Sequence, residues 1–311
     1  MLTHFISLKY FSKNEILKLI NLSFDIKKNP AKYIDSLKNK SIGLIFEKPS
    51  LRTKTAFYIG AVQLGAFPIY YGPEEIRLGK REKNCDVAKT LSKFLDAVVL
   101  RTFSHDNLLE LARFSTIPVI NGLDDLLHPS QVLTDIMTIV ELKKDIKNLK
   151  VVYIGDGDNV CHSLIYAFSI LGGCLYVATP KRYPPNKEII EEANSYCKIS
   201  GAKIVISNDP FQVAENADVL YTDVWVSMGK ESEAKKRLKI FKNFQINDKI
   251  LKMASSDCIV MHCLPAHRGE EITDGVIDGE HSVVFLQAEN RLYTAKAILY
   301  YVLKGFEGIN N

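Results

Sequence analysis

The sequence predicts an α/β protein with two doubly wound parallel-sheet domains joined by long helices. Apolar, β-branched runs alternate with helical patterns, which is typical of βαβ units. The runs form two groups separated by a long helix-like segment, 130–147. With 311 residues, 47% of them hydrophobic, the chain is long enough for two domains of about 150 residues each. We therefore predict domains at residues 1–135 and 148–289, with a C-terminal helix, 290–311, that packs back on the first.

The predicted strands are short apolar runs that lie between turn residues. In chain order they are 42–46, 67–71, 97–101, 118–121, 150–155, 174–178, 203–207, 219–223, 258–262 and 283–286. Helical patterns lie between nearly all of them, among them 55–62 and 231–238. Ligands of open α/β sheets bind beyond the carboxyl ends of the strands, so the residues after each run are the candidate site residues.

Composition limits the partners and the compartment. Lys and Arg number 40 against 36 Asp and Glu, an excess that is too small for a nucleic-acid partner but compatible with a local site for a small acidic ligand. The six cysteines are dispersed without a Cys-x-x-Cys pair, so neither a zinc site nor a disulfide framework is predicted. The N-terminus lacks a signal-peptide pattern, and no apolar run approaches about 18 residues. We expect a cytoplasmic protein with reduced thiols and no membrane partner.

A basic, hydroxyl-rich turn joins the first predicted strand to a helical pattern. The first backbone N–H groups of a helix lack partners and the helix dipole is positive there, so such a turn attracts anions. Donors and charge at this point come from Ser50, Arg52, Thr53, Lys48 and Lys54. The pattern predicts a phosphate site, although an ordinary helix N-cap with a solvated basic turn explains the spacing equally well.

Polar side chains also follow the next strands of the first group. Arg101 ends one strand, and His128 and Gln131 follow another after a short acidic loop. The planar guanidinium can bind a phosphate or a polarised carbonyl oxygen, and the imidazole and carboxamide can bond a carbonyl or amide. The alternative for His128, which precedes a proline, is a structural role at a helix start.

The second group opens with a glycine-containing turn, Gly155-Asp156-Gly157. It resembles a dinucleotide-binding turn, but the third glycine is absent from the residues that follow, through Cys161 and His162, so a nicotinamide cofactor is disfavoured. Asn159 offers an amide suited to a zwitterionic head group. An NAD-dependent oxidoreductase stays as an alternative that only this turn supports.

Two further strand ends carry a carboxylate and a thiol. Asp223 is followed by a small, flexible segment, Ser227-Met228-Gly229, and could hold an ammonium group or cap the helix at 231–238. Cys263 lies just past a buried strand, where an inert buried thiol is the common alternative.

Four motifs in order resemble the aspartate/ornithine carbamoyltransferase family, over residues 5–303. The family's S-x-R-T-R is present as Ser50-Leu51-Arg52-Thr53-Lys54, and its H-P-x-Q as His128-Pro129-Ser130-Gln131. Its D-x-x-x-S-M-G, from Asp223, and its H-C-L-P, from His262, are unaltered. The Ser-Met-Gly segment and the cysteine of H-C-L-P resemble the branch of the family that acts on ornithine.

The resemblance implies an activity and an assembly. The first domain would bind carbamoyl phosphate and the second L-ornithine, and the carbamoyl group would pass to the δ-amine to give L-citrulline and phosphate. The resemblance also implies a role in arginine biosynthesis and a homotrimer, or a larger homo-oligomer built from trimers, with sites at subunit interfaces. It implies no metal and no organic cofactor.

The resemblance further assigns roles to residues. The carbamoyl-phosphate shell would be Ser50, Leu51, Arg52, Thr53, Arg77, Arg101, His128, Gln131, Cys263, Leu264 and Arg291. The ornithine shell would be Asn159, Asp223, Ser227 and Met228. The catalytic residues would be Arg101, His128, Asp223 and Cys263. Asp223, Cys263 and the substrate's phosphate all stay open as the acceptor of the amine proton.

Two positions depart from the family pattern. Lys54 stands where the motif usually ends in arginine, which keeps the charge but loses a two-pronged donor. Arg77 stands where glutamine is usual, and it would either reach the phosphate of a neighbouring subunit or remain a solvated surface residue. These departures leave two alternatives: a relative that acts on another amine acceptor, and a catalytically silent ligand-binding homologue.

Overall fold

The computed structural model describes residues 3–306 of the chain. These residues form two compact units, one running up to Met137 and resuming at Glu289, the other comprising Thr138–Ala288. Each unit is built on one parallel β-sheet. The predicted fold class, α/β with two parallel sheets, is therefore confirmed.

The first unit contains a four-stranded sheet in the order β2-β1-β3-β4. Its strands are β1 (Ser41–Phe46), β2 (Phe67–Tyr71), β3 (Ala97–Arg101) and β4 (Val119–Leu123). Its helices begin with α1 (Lys13–Lys28), α2 (Arg52–Gln63), α3 (Asn84–Phe94), α4 (His105–Phe114) and α5 (Pro129–Lys143). Strand β3 is buried along its whole length, which explains why it reads as a continuous apolar run in the sequence.

The second unit contains a five-stranded sheet in the order β7-β6-β5-β8-β9. Its strands are β5 (Lys150–Ile154), β6 (Cys174–Ala178), β7 (Lys203–Ser207), β8 (Val219–Thr222) and β9 (Ile259–His262). The remaining helices are α6 (Asn159–Leu171), α7 (Lys187–Ser200), α8 (Pro210–Ala214), α9 (Ala234–Phe241), α10 (Asp248–Leu251), α11 (Asp274–Ile277) and α12 (Val284–Lys304). Four 3₁₀ turns complete the described elements, at Leu8–Tyr10, Pro30–Tyr33, Glu231–Glu233 and Lys242–Phe244.

Each sheet has one switch point, where the strand order reverses. In the first sheet it lies between β1 and β3, and in the second between β5 and β8. At such a point the connections leave towards opposite faces of the sheet, and a crevice opens beyond the carboxyl ends of the two strands. These two places are where each unit can hold a ligand.

The predicted strand at 283–286 is wrong, because Val284 begins α12. Its strand-like contacts are limited to a bridge between Ser282 and Val260 and a bond from the Val283 N–H to the Val260 carbonyl oxygen. A short apolar run does not distinguish a strand from a buried helix end, and here the run continues the amphipathic pattern that follows it. The last helix therefore begins well before residue 290, and residues 307–311 of the predicted segment lie outside the described residues.

Two other boundaries also differ from expectation. Helix α5 ends at Lys143, before the predicted 147, and Lys144 has a left-handed backbone with φ +71°. The predicted helix at 231–238 begins as a 3₁₀ turn and becomes α-helical only at Ala234. Within residues 3–306, no helix is both long and apolar enough to cross a membrane.

Candidate active site

At the first switch point, hydrogen bonds hold the basic turn after β1 against the end of β3. Phe46 pairs with Arg101 in register, and the Glu47 N–H donates to the Arg101 carbonyl oxygen at 2.9 Å. The Thr102 hydroxyl donates to the Glu47 carboxylate at 2.5 Å. The turn after β1 therefore has a fixed position beside the end of β3.

The turn leads into α2 without a side-chain cap on the helix start. Leu51 occupies the cap position with helical backbone angles and forms no side-chain cap bond. The ordinary side-chain cap that the sequence left open is therefore not formed. Thr53 is buried, and its hydroxyl accepts a bond from the Arg291 guanidinium of α12. Ser50 and Arg52 are half-buried and Leu51 is exposed, so this helix start is built as an anion site would be.

Buried basic side chains gather in the first unit. Lys48, Arg101, His128 and Arg291 are each at most 6% exposed. Burial, and then the charges of Arg291, Arg101 and Lys48, hold the pKa of His128 well below its usual value, so its imidazole is neutral. Three cations in such a space attract an anion, because like charges held close together in a buried site raise one another's electrostatic energy.

Gln131 is oriented by a neighbour on its own helix. Its Nε2 donates to Asp135 Oδ1 at 2.7 Å, and its Oε1 is buried without a hydrogen-bond partner among the described residues. A carboxylate only accepts, so the amide nitrogen must face Asp135 and the oxygen must face away. Gln131 thus presents an acceptor suited to an NH₂ group.

Lys54 and Arg77, the two departures from the family pattern, each contact a neighbouring side chain of the first unit. The Lys54 ammonium lies over the ring of Tyr70, 3.5 Å from its centroid. Arg77 has a left-handed backbone, and its exposed side chain forms an ion pair with Glu74. Within the described chain, Arg77 is therefore a surface residue paired with its own loop.

The neighbouring carboxyl ends of β8 and β9 bring Asp223 and Cys263 together, beside the second switch point. The Cys263 thiol donates to Asp223 Oδ1 at 2.9 Å, and the same oxygen accepts from the Val224 N–H at 2.7 Å. Burial raises the pKa of Asp223, although His262 and the bonds from the thiol and from Val224 act in the opposite direction. Asp223 does not cap the helix that follows. The Cys263 thiol is buried and has a hydrogen-bond partner in Asp223.

A buried pair behind the thiol holds its turn in place. His262 Nδ1 accepts from the Leu264 N–H at 2.8 Å, so Nε2 carries the proton and donates to Glu271 at 3.0 Å. The same Glu271 oxygen accepts from the His267 N–H at 2.6 Å. The Cys263-Leu264 backbone is therefore fixed from both sides.

The predicted head-group residues lie at the start of α6 and in the segment after β8. Asn159 is the first residue of α6 and is 8% exposed. The Ser227 hydroxyl donates to Asp158 at 3.3 Å, which ties the segment to the β5–α6 turn, whereas the Met228 side chain is 42% exposed. These residues belong to the same unit as Asp223.

The glycine turn at 155–157 is explained by packing within the second unit. A Cβ at Gly157 would lie 2.3 Å from the Pro185 nitrogen, and the Gly157 N–H donates to the Tyr183 carbonyl oxygen at 3.1 Å. His162, which stands near the position of the absent third glycine, accepts from the Asn186 N–H. The turn thus needs glycine for the close approach of another backbone segment, without any dinucleotide.

Two groups of side chains have ligand atoms close enough for a cation. They are Asp223, His262 and Cys263, and His267, Glu270 and Glu271, each within 4.8 Å. In the first group the thiol and both ring nitrogens of His262 already bond within the unit. The expectation of no metal stays a prediction.

Several contributing residues were missed from the sequence. Asp135 lies one helical turn after Gln131, a spacing that could have been noticed. Glu271 has no local signal, because its bond to His262 depends on the tertiary fold. Lys48 was among the basic residues expected in the phosphate turn, but its burial depends on the fold and was not predicted.

Comparison with known proteins covers nearly the whole described length. The family model "Aspartate/ornithine carbamoyltransferase, carbamoyl-P binding domain" matches residues 3–141, and "Aspartate/ornithine carbamoyltransferase, Asp/Orn binding domain" matches 147–302. A curated relative, the catabolic ornithine carbamoyltransferase of Thermoplasma acidophilum, is 50% identical over 291 residues, which is 94% of this chain and 95% of that protein.

Solved structures agree with these matches. The ornithine carbamoyltransferase from Pyrococcus furiosus has a TM-score of 0.93 and 43% identity, covering 99% of this chain and 98% of that one. The anabolic ornithine carbamoyltransferase from Campylobacter jejuni has a TM-score of 0.93 and 40% identity, covering 97% of this chain and 99% of that one.

Proposed function

Because the chain belongs to the aspartate/ornithine carbamoyltransferase family, we propose that it transfers the carbamoyl group of carbamoyl phosphate to the δ-amine of L-ornithine. The products are L-citrulline and phosphate. The observation that carries the proposal is the Asp223–Cys263 pair, 2.9 Å between oxygen and sulfur, in which Asp223 is followed along the chain by Ser227-Met228-Gly229. A carboxylate and a thiol at a strand end suit an acceptor that brings an ammonium group and must lose a proton.

The first unit supplies the groups that the carbamoyl donor needs. The uncapped start of α2, with Ser50, Arg52 and Thr53, binds the phosphate that becomes the leaving group. Arg101 and the neutral His128 polarise the carbonyl oxygen as negative charge develops there. Gln131 accepts from the carbamoyl NH₂, because Asp135 holds its amide in that orientation.

The remaining donor contacts come from residues that the family resemblance assigns. Arg291 joins the phosphate shell through its contact with Thr53. The Leu51 and Leu264 backbones and the Cys263 backbone complete that shell. Arg77 would serve a neighbouring subunit, which requires its ion pair with Glu74 to open.

The second unit supplies the groups that the amine needs. An alkyl ammonium with a pKa near 10.4 must be neutral to attack, which costs roughly 4–5 kcal/mol at pH 7. Asp223 orients the amine, and its raised pKa makes it a better proton acceptor than an ordinary carboxylate. Cys263 and the departing phosphate remain the other acceptors, and Asn159, Ser227 and Met228 bind the amino-acid head group.

The proposal also includes the oligomeric state, the cellular compartment and the metabolic role of the protein. We expect a homotrimer, or a larger oligomer built from trimers, in the cytoplasm. We expect a role in arginine biosynthesis, with catabolic use as the alternative, since relatives of both kinds are known by name. Light scattering of the purified protein measures the trimer mass directly, and a monomer would contradict it.

A citrulline assay tests the activity. Purified protein with carbamoyl phosphate and L-ornithine should form citrulline and phosphate in equal amounts. Folded protein that binds both substrates without product would instead be the silent homologue. Higher turnover with putrescine or lysine would indicate the other acceptor, and binding of NADH followed by fluorescence would support the oxidoreductase.

A further inference from the structure

An ion pair outside the assigned shells joins the two segments of the amino-acid site. The Lys230 ammonium, one residue after Ser227-Met228-Gly229, donates to Asp158 Oδ2 at 2.6 Å. It also lies 3.8 Å from Asp156. Asp158 immediately precedes Asn159, so the pair lies next to the predicted head-group residues.

The pair changes what Asp158 does at the start of α6. An aspartate at a helix cap usually accepts bonds from the first N–H groups. Asp158 is at that position, yet its carboxylate makes no bond to the helix N–H groups among the described residues. Its Oδ2 accepts from Lys230 and from the Ser227 hydroxyl instead. The positive end of this 13-residue helix is therefore not covered by its own cap residue.

Lys230 and Arg237 are cations that contact the carboxylates around this turn. Arg237 is 3% exposed and is occupied by Asp156, at 2.6 Å, by Glu233, at 3.1 Å, and by the Trp225 carbonyl oxygen, at 2.9 Å. Burial and the charge of Asp158 raise the pKa of Asp156 to about 6, whereas Lys230 and Arg237 lower it. Loss of Lys230 would leave Asp158 as an unbalanced negative charge beside Asn159.

We propose that Lys230 determines acceptor specificity by selecting amines that carry an α-carboxylate. It holds Asp158 away from the α6 N–H groups and cancels its charge, so that a substrate carboxylate can approach this helix end. Without Lys230, Asp158 would repel that carboxylate and could turn to cap α6. The same change would not disfavour a diamine that has no carboxylate. This inference rests on the proposed carbamoyl transfer to ornithine.

The test compares L-ornithine with putrescine, which lacks the α-carboxylate. Lys230→Met should lower kcat/KM for ornithine about tenfold, mainly through KM, because one partner of a charge-assisted pair is lost. The value for putrescine, measured as a substrate or as a competitive inhibitor, should stay the same or improve. The KM for carbamoyl phosphate should not change.

Two further variants separate specificity from folding. Lys230→Gln still donates a bond but has no charge, so the ornithine-to-putrescine ratio should fall by a smaller factor. Adding Asp158→Asn to Lys230→Met removes the unbalanced carboxylate and should restore most of the ratio. Lys235→Met removes an exposed lysine from α9 and serves as the matched control.

The outcomes distinguish this inference from the proposed function. An unchanged ratio in both Lys230 variants, an equal loss for both amines, or no recovery in the double variant would overturn the specificity role. Wild-type protein that forms no citrulline would instead overturn the proposed function. In that case titration with L-norvaline and with butylamine still tests the inference, because only norvaline carries the carboxylate and only its binding should weaken in Lys230→Met.

Discussion

The strand-end sites of the two units use opposite electrostatics. In the first unit, buried Lys48, Arg101 and Arg291 surround a histidine whose pKa is pushed down, so the imidazole stays neutral. In the second unit, burial pushes the pKa of Asp223 up, towards its neutral form. In both places burial disfavours the charged form of a titratable group.

The difference shows how the same location, beyond the carboxyl ends of parallel strands, can bind two ligands of opposite charge. Both sites lie beyond the switch point of a parallel sheet. The first places cations where an anion would relieve their mutual repulsion, and the second places a carboxylate where an ammonium would relieve its desolvation. Each site therefore favours a substrate of the opposite sign.

The largest expected loss of activity follows a substitution in the cationic site of the first unit. Arg101→Ala should lower kcat/KM for carbamoyl phosphate about 100- to 1,000-fold, because a donor to the developing oxyanion is lost. Stability should change little, since removal of one of several like charges relieves repulsion. Steady-state kinetics and thermal unfolding measure both, with the exposed Arg113→Ala as control. Near-normal turnover in Arg101→Ala would remove it from the site.

A smaller loss of activity is expected from a substitution in the second unit's site. This loss should affect ornithine rather than carbamoyl phosphate. Asp223→Asn should lower kcat/KM for ornithine by about 100-fold, as for the removal of a group that assists proton transfer. The KM for carbamoyl phosphate should stay unchanged. Product formation at varied concentrations of each substrate separates the two effects, and an equal loss for both substrates would contradict the division between units.

The neutral state of His128 predicts a pH dependence of stability. Its pKa is lower in the folded chain than in the unfolded chain, so on acidification the unfolded chain takes up the proton first. The free energy of unfolding should therefore fall below about pH 6.5, by up to about 1.4 kcal/mol per pH unit from this residue.

Urea unfolding of wild type and His128→Gln between pH 7.5 and 5 measures that contribution as a difference, in which other histidines cancel. Inorganic phosphate should flatten the wild-type dependence, because the anion stabilises the protonated ring. Parallel curves for the two proteins would show that His128 is not held neutral.

The smallest effect concerns the departure at position 54. Lys54→Arg should change the KM for carbamoyl phosphate by about threefold or less, because either cation can lie over the Tyr70 ring. Tyr70→Leu should destabilise the protein by about 0.5–1 kcal/mol through the lost cation–π contact. A large kinetic gain in Lys54→Arg would mean that the phosphate loop needs the forked side chain.

Most of the fold could be predicted from the sequence, because the periodicity of apolar residues depends on only a few neighbouring positions. Nine of the predicted strands coincide with described strands within two residues at each end, from β1 to β9. The run at 283–286 was misread because four apolar residues fit a strand and a buried helix end equally well. Its assignment depends on α12, which continues to Lys304.

For the candidate site, the sequence predicted which types of residue contribute but not how they are arranged. The positions of Asp223 and Cys263 after strands suggested an amine site, yet their hydrogen bond joins residues 40 apart in the chain. The orientation of Gln131, the bond between His262 and Glu271, and the pairing of Lys230 with Asp158 all come from contacts that spacing does not encode.

The sequence by itself determined that this chain forms two parallel α/β sheets and which polar residues follow their strands. It could do so because hydrophobic periodicity and turn chemistry act over a few residues. Only the tertiary structure decided which ends lie together, which of His128 and Asp223 is pushed towards neutrality, and that Asp158 bonds to Lys230 instead of capping α6. Those properties depend on burial and on charges brought close by folding, which no local pattern specifies.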